Sequence, residues 1–335
     1  MKTLVIGHED VKRLLPMADC IDVMNDLFRA LARGDVVLPL RQIVPQPDRR
    51  GVFGAMPAYL GNPRTIGGKF ITVFNGNRDT PYESHQGAVL LFECDNGRLL
   101  AVVDATTVTN IRTAAASGAA TRALARKDAH VLGILGSGTQ ASMHLAAMRA
   151  VCGITRVRVW SRNAEHARRF VESEGNGGQQ VEVSSSAEEA VSGADIICTT
   201  TAATSPILKG EWISAGAHIN AIGASVPGYR ELDSRAMVMS KLYTDRRESL
   251  FSEADDFLIP LKEGAIKEDH LKGEVGEVIA GKVAGRSSNA EITLFKSLGL
   301  AVEDLAAAHH VYTKALENRV GNWVEFSGGR ETRSE

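Results

Sequence analysis

Apolar residues recur at helical spacing over residues 9–33, where Val11, Leu14, Leu15, Ile21, Met24, Leu27, Phe28 and Leu31 mark one face and Gly34 supplies a stop. The spacing predicts one amphipathic helix or two. Short apolar runs broken by turn residues follow at 36–44, 51–59, 67–74, 88–93 and 99–104. They predict strands, the last two joined by a hairpin at Asp95-Asn96-Gly97, a turn that tolerates positive φ. Residues 109–125 are a run of small side chains, predicted helical with Thr109 or Asn110 as the cap. So many Ala and Ser let a neighbouring helix or a ligand come close.

From residue 130 the rhythm changes. Short apolar runs at 131–135, 157–160, 181–184, 196–200 and 218–222 alternate with helical stretches at 139–152, 165–174 and 187–191. This is the βαβ alternation of a parallel doubly wound sheet, so the fold class expected is α/β. After Gly223 only helical spacing is legible, at 232–239, 251–264 and 274–281. The final helix, 302–318, can return to the first domain, since doubly wound domains are often inserted between halves of another unit.

Composition adds limits. With 335 residues, 44% of them apolar, two domains are expected, and a net charge of -2 gives no reason for a nucleic-acid partner. No stretch approaches the roughly 18 apolar residues that span a bilayer, and residues 1–10 lack the apolar core of a secretion signal. A cytoplasmic protein with no membrane partner is expected. The four cysteines, Cys20, Cys94, Cys152 and Cys198, are scattered without a CxxC and read as reduced. His309-His310 lack an acid at ligand spacing, so no metal is expected. The polar residues 328–335 read as a disordered tail.

Gly136-Ser137-Gly138-Thr139-Gln140-Ala141 stands between an apolar strand and a helix. Glycines there allow a tight turn and close approach of backbone N–H groups to a pyrophosphate, which the helix N-terminus favours electrostatically. A nucleotide-binding unit follows. The next strand ends in Ser161-Arg162 rather than in the acid that binds the ribose hydroxyl of NAD. A hydroxyl and a guanidinium suit a 2′-phosphate, so NADPH is the preferred cofactor expected, with NADH also possible.

Arg41, Lys69 and Arg112 sit in apolar or small-residue surroundings with no carboxylate close in sequence. Two readings stay open: a shared anionic ligand such as a substrate carboxylate, or three separate surface ion pairs. His85, in the polar turn Pro81-Tyr82-Glu83-Ser84-His85-Gln86-Gly87, can touch a ligand or be an ordinary polar residue.

Several stretches together resemble the ornithine cyclodeaminase/μ-crystallin family over nearly the whole chain. They include Met56-Pro57-Ala58-Tyr59, Lys69, Ser84-His85-Gln86, Arg112-Thr113-Ala114-Ala115, the 136–141 motif, His218 to Ser225, Arg230-Glu231-Leu232-Asp233, Gly276-Glu277-Val278-Ile279 and Phe295-Lys296-Ser297-Leu298-Gly299. The resemblance implies a Rossmann domain at 119–304. It also implies an N-terminal α+β substrate-binding and dimerisation domain, 1–118 plus 305–327, completed by the C-terminal helix and forming a homodimer. Arg41, Lys69 and Arg112 would hold a substrate carboxylate. Ser84, His85, Arg112, Gly136, Ser137, Gly138, Thr139, Gln140, Ser161, Arg162, Thr201, Ile222 and Ser297 would contact the cofactor. Met56, Tyr59 and Val226 would wall the pocket.

One departure bears on activity. Ornithine cyclodeaminases carry an aspartate for the substrate amine where this chain has Ser225, and an acid after the second strand where it has Ser161-Arg162. The chain thus looks more like the ketimine reductases, with a cyclic imino acid as substrate. The alternatives are an amino-acid dehydrogenase of the alanine type, an acyclic imine reductase of the iminosuccinate type, a cyclodeaminase, and a non-catalytic NADPH-dependent binding protein.

Overall fold

A computed structural model describes residues 1–77, 80–175 and 180–326; the tail expected at 328–335 lies outside the described residues. The chain divides into two compact units. The first comprises Met1–Val23, Gly34–Arg112 and Leu300–Glu335, and the second Met24–Arg33 and Thr113–Gly299.

The first unit is a sheet carrying the last long helix. Its elements are β1 (Lys2–Ile6), α1 (His8–Leu14), the start of α2 (Met17–Arg33), β2 (Val36–Val37), β3 (Gln42–Pro45), β4 (Val52–Gly61), β5 (Arg64–Val73), β6 (His85–Phe92), β7 (Leu99–Asp104), the start of α3 (Ala105–Leu124), α11 (Ala301–Asn318) and β16 (Asn322–Glu325). The order is β16-β1-β7-β6-β5-β4-β2, with β3 also on β4. Strands β4 to β7 form the expected antiparallel meander, and β1 joins β7 in parallel. Along β4 burial alternates, with Met56, Ala58 and Leu60 covered, and α11 packs over β4, β5 and β6.

Two local expectations are corrected. The 36–44 run is two strands, β2 and β3, with Arg41 in the irregular segment between them. The small-residue helix starts at Ala105 rather than at Thr109, because Asp104 Oδ1 accepts from the Thr107 amide at 2.8 Å and its hydroxyl at 2.6 Å. Strands β1 and β16 were not expected: β1 lies between β7 and β16, and β16 is extended at the edge by pairing with β1.

The second unit contains β8 (Val131–Leu135), α4 (Thr139–Val151), β9 (Arg156–Trp160), α5 (Ala164–Glu174), β10 (Gln180–Val183), α6 (Ala187–Val191), β11 (Ile196–Thr199), β12 (His218–Ala221), α7 (Ser234–Met239), β13 (Ser240–Thr244), α8 (Arg247–Glu253), α9 (Asp255–Lys262), β14 (Leu271–Glu274), α10 (Val275–Ile279) and β15 (Ile292–Lys296). Its strands lie in the order β10-β9-β8-β11-β12-β15-β13-β14, all parallel. The order reverses between β8 and β11, the place where doubly wound sheets leave a crevice at their C-terminal ends. Strands β13, β14 and β15 were not expected. β14 reads Leu-Lys-Gly-Glu, with one apolar side chain, and its extended state comes from pairing with β13. The helical run at 251–264 is two helices that meet at Ala254.

Candidate functional site

In the first unit the alternation of β5 turns Lys69 onto the face covered by α11, where it is 2% exposed. Its cross-strand neighbours are Met56 on β4 and Val89 on β6. Burying an ammonium this way is costly unless it is paired. The partner is Asp304 in the first turn of α11, whose Oδ2 lies 2.9 Å from Lys69 Nζ. Arg112, on α3, reaches the same acid: its Nε donates to Asp304 Oδ1 at 2.8 Å, and its Nη1 donates to Glu303 Oε2 at 2.6 Å. Glu303 and Asp304 are fully buried, and acids in a first helical turn also meet the positive end of the helix dipole.

The electrostatics follow from this geometry. Burial lowers the pKa of Lys69 to about 8 although Asp304 opposes it, and the charges of Arg112 and Arg41 push the same way as burial. Arg41 is half-buried just ahead of β3 and acts on Lys69 through its field. Burial would raise the carboxyl of Asp304, but Arg112 and Lys69 hold it below the usual range. Burial works against the Arg112 guanidinium, yet Asp304 and Glu303 raise its pKa further. His85 opens β6 with its Nδ1 3.0 Å from Ser84 Oγ. Solvent reaches this residue, and the imidazole is nonetheless held neutral: the protein around it, then Lys69 and Arg112, lower its pKa to about 4.

Lys69, Arg112, Arg41, His85 and Met56 are therefore brought together around one charged cluster. Tyr59 is not. It lies three positions after Met56 on a regular strand, hence on the opposite face, where it interacts with Arg64. The reading of Lys69 and Arg112 as surface ion pairs is corrected, since both are buried. The carboxylates were missed because they lie 191 and 192 residues from Arg112. A signal was available: Glu303-Asp304 are adjacent acids inside an otherwise apolar stretch, Ala301 to Ala308.

The second unit holds the glycine motif. Gly136 has φ +127°, and a β-carbon there would lie 2.5 Å from Thr200 Oγ1 and 2.8 Å from its carbonyl oxygen, so only glycine fits. Gly138 caps α4 without a side-chain cap, and a β-carbon on it would meet nothing within 4 Å. The helix N-terminus is thus open to an anionic group, and Ala141 closes the motif fully buried. Ser137 and Gln140 are half-buried, and Thr139 is exposed.

The other residues named for this unit gather at the same end of the sheet. Ser161 and Arg162 follow β9, Thr201 follows β11, Ile222, Ser225 and Val226 follow β12, and Ser297 follows β15. Arg162 is exposed and pairs with no carboxylate among the described residues, while Asn163 beside it caps α5. Ser225 and Val226 are half-buried; Ser297 is buried, its amide donating to Ala221 at 3.1 Å. These side chains and N–H groups fit a dinucleotide laid across the strand ends. Among the described residues no group of His, Cys, Asp and Glu is arranged to hold a metal, and no helix is long and apolar enough to cross a membrane. The cysteines are unpaired; burial raises the Cys198 thiol to about 12 and Cys20 higher still.

Known proteins share both the sequence and the architecture. The chain is 45% identical over 280 residues to the ketimine reductase mu-crystallin of Mus musculus, a match covering 83% of this chain and 85% of that one. Its fold is similar to the solved structure of Thermococcus litoralis Δ1-pyrroline-2-carboxylate reductase in complex with NADH and L-proline, with a TM-score of 0.93, 38% identity, and coverage of 96% and 99%. It is also similar to an archaeal alanine dehydrogenase dimer with bound NAD, with a TM-score of 0.92, 35% identity, and coverage of 98% and 100%. A model of the family matches residues 1–319, and the chain belongs to the ornithine cyclodeaminase/mu-crystallin family.

Proposed function

We propose that the protein is an NADPH-dependent reductase of cyclic imino acids, taking Δ1-pyrroline-2-carboxylate or Δ1-piperideine-2-carboxylate to L-proline or L-pipecolate. The observation that carries this reading is the buried cluster in which Asp304 and Glu303 hold Lys69 and Arg112 on a face that also carries Met56. The charge of Arg41 reaches Lys69, and cations gathered on one face suit the single carboxylate of a cyclic imino acid. The similarity to reductases of such substrates supports the same assignment.

When bound, the reduced nicotinamide supplies a hydride to the imine carbon. Lys69, Arg112 and Arg41 anchor the carboxylate and so set the orientation of the ring, which is catalysis by positioning. Arg112 is pre-set for this, its Nε and Nη1 fixed by the two acids. The imine nitrogen must carry a proton as the carbon gains hydride. Lys69, with a pKa of about 8, holds a proton that neutral solution replaces readily. Ser225, with no charge to offer an amine, fits reduction better than deamination. Neutral His85 adds no charge beside the carboxylate.

The preference for NADPH rests on Ser161 and on Arg162, an exposed guanidinium without a carboxylate partner among the described residues. Self-association of the first unit is supported by its exposed apolar side chains Val37, Leu40, Ile43, Val44 and Phe53. A single-subunit mass by light scattering would overturn the dimer. The test of activity is loss of the reduced-nicotinamide absorbance with each cyclic imino acid, and with pyruvate plus ammonia, using NADPH and then NADH. Turnover of a cyclic imine with NADPH favoured is the expected result. Turnover of pyruvate plus ammonia alone would make the protein an amino-acid dehydrogenase.

A further inference from the structure

Three buried acids stand behind the strand ends of the second unit, and none has a place in the chemistry described so far. Asp245 accepts from the amides of Leu298 at 2.6 Å and Gly299 at 2.8 Å, beside Ser297. Asp256 accepts from the amides of Glu231 and Leu232, both at 2.9 Å, and from Lys296 Nζ at 2.9 Å. Glu231 is the one that ties two loops together. Its Oε1 accepts from the Thr201 amide at 2.6 Å and the Thr201 hydroxyl at 2.7 Å. Its Oε2 accepts from the Thr199 hydroxyl at 2.7 Å and the Gly223 amide at 2.8 Å. The residue is 0% exposed.

We propose that Glu231 is a positioning residue for the nucleotide, clamping the loop after β11 and the loop after β12 at the spacing that NADPH requires. The proposal rests on the reading of this unit as the NADPH-binding unit. The two loops carry Thr201 and Ile222, which the resemblance assigns to the cofactor, and Glu231 is bonded to Thr201 itself in one and to Gly223, next to Ile222, in the other. The clamp leaves no room for adjustment: a β-carbon on Gly223 would lie 1.9 Å from the Thr201 carbonyl oxygen and 2.5 Å from Glu231 Oε1. Asp256 in turn fixes the backbone of Glu231 and is itself held by Lys296, so the clamp is anchored to α9 and β15.

The chemistry demands a carboxylate rather than any polar group of that size. All four hydrogen bonds enter oxygen lone pairs, two on each atom. In Glu231→Gln one position becomes an amide NH2. A threonine hydroxyl can turn and accept from it, but a backbone N–H cannot. Whichever way the amide lies, the Thr201 or the Gly223 amide then faces another donor in a buried site. The conflict is relieved only if one loop moves away, which changes the spacing offered to the nucleotide. A purely structural role would instead lower stability and leave the affinity of the folded protein alone.

The experiment titrates the full-length protein with NADPH, following the nucleotide's fluorescence, for wild type, Glu231→Gln and Thr199→Val. Melting temperature and steady-state kinetics accompany each. In Glu231→Gln the NADPH dissociation constant is expected to rise about tenfold or more, as an unpaired buried donor implies. The imino-acid KM is expected to stay unchanged and kcat at saturating NADPH to stay within about threefold. Thr199→Val, which removes one donor and keeps the carboxylate, is expected to weaken NADPH about threefold. It carries the test if Glu231→Gln does not fold. NADPH affinity unchanged in the folded variants, with wild type binding NADPH, overturns the clamp alone. Wild type binding no dinucleotide overturns both the clamp and the reading beneath it.

Discussion

Lys69 Nζ and Asp304 Oδ2 lie 2.9 Å apart with side-chain exposures of 2% and 0%. An ion pair this dry is not a general source of stability, because desolvation offsets most of the attraction, but breaking one side of it is expensive. Asp304→Asn should destabilise the protein by roughly 3–5 kcal/mol in urea unfolding. Adding Lys69→Met should restore much of that loss, since no bare charge then remains. Strictly additive losses in the double variant would mean that the two residues do not act as a pair.

The pKa of Lys69, about 8 against the ordinary lysine value of 10.5, has two consequences. Below pH 8 folded and unfolded chains both hold the proton. Between about 8 and 10.5 only the unfolded chain holds it, so this group's contribution to stability rises with pH across that window. Substrate binding moves the other way: as Lys69 discharges above about pH 8, the KM for an imino acid should climb. Lys69→Arg should flatten the climb, because a guanidinium does not titrate there. His85, at about 4, should give no inflection near the ordinary histidine value of 6.5.

The two glycines of the motif should fail differently. Gly136→Ala combines a φ of +127° with contact against the Thr200 backbone, so it should cost about 1–3 kcal/mol or more in stability and abolish tight NADPH binding. Gly138→Ala has open space and a φ of -93°, so stability should stay within about 0.5 kcal/mol. Its methyl group would nonetheless stand where the nucleotide approaches. Equal NADPH affinity in Gly138→Ala and wild type would remove this loop from the binding site.

Arg162→Ala should raise the KM for NADPH about tenfold, the loss expected for a charge-assisted phosphate contact, and leave that for NADH nearly unchanged. Equal effects on the two cofactors would refute the role given to Arg162.

Much of this was legible in the chain because it is local. The motif at 136–141 needs only its own strand, turn and helix, and the meander of β4 to β7 is written in alternating side chains and one Asn-Gly turn. Lys69 and Arg112 stood out as cations in apolar surroundings, but their burial against Glu303 and Asp304 did not, because the partners meet only in the folded sheet and helix. The resemblance set Tyr59 beside Met56 in the pocket wall, and the two-residue period of β4 puts them on opposite faces. Strands β13 and β14 were invisible because their neighbours, not their composition, make them extended.

The acids of the charged cluster arrive on the last long helix, after Arg112 has waited through about 190 residues of chain and Lys69 through more. During synthesis, Lys69 and Arg112 emerge with no counter-charge to bury against, so the face of β5 that carries Lys69 has to stay wet until α11 is made. The whole nucleotide-binding unit is complete before then. The order of assembly is thus set: the second unit can close on its own contacts, and the substrate face seals last. A chain stopped before residue 303 would retain its glycine motif and lack the two acids that hold Lys69 and Arg112.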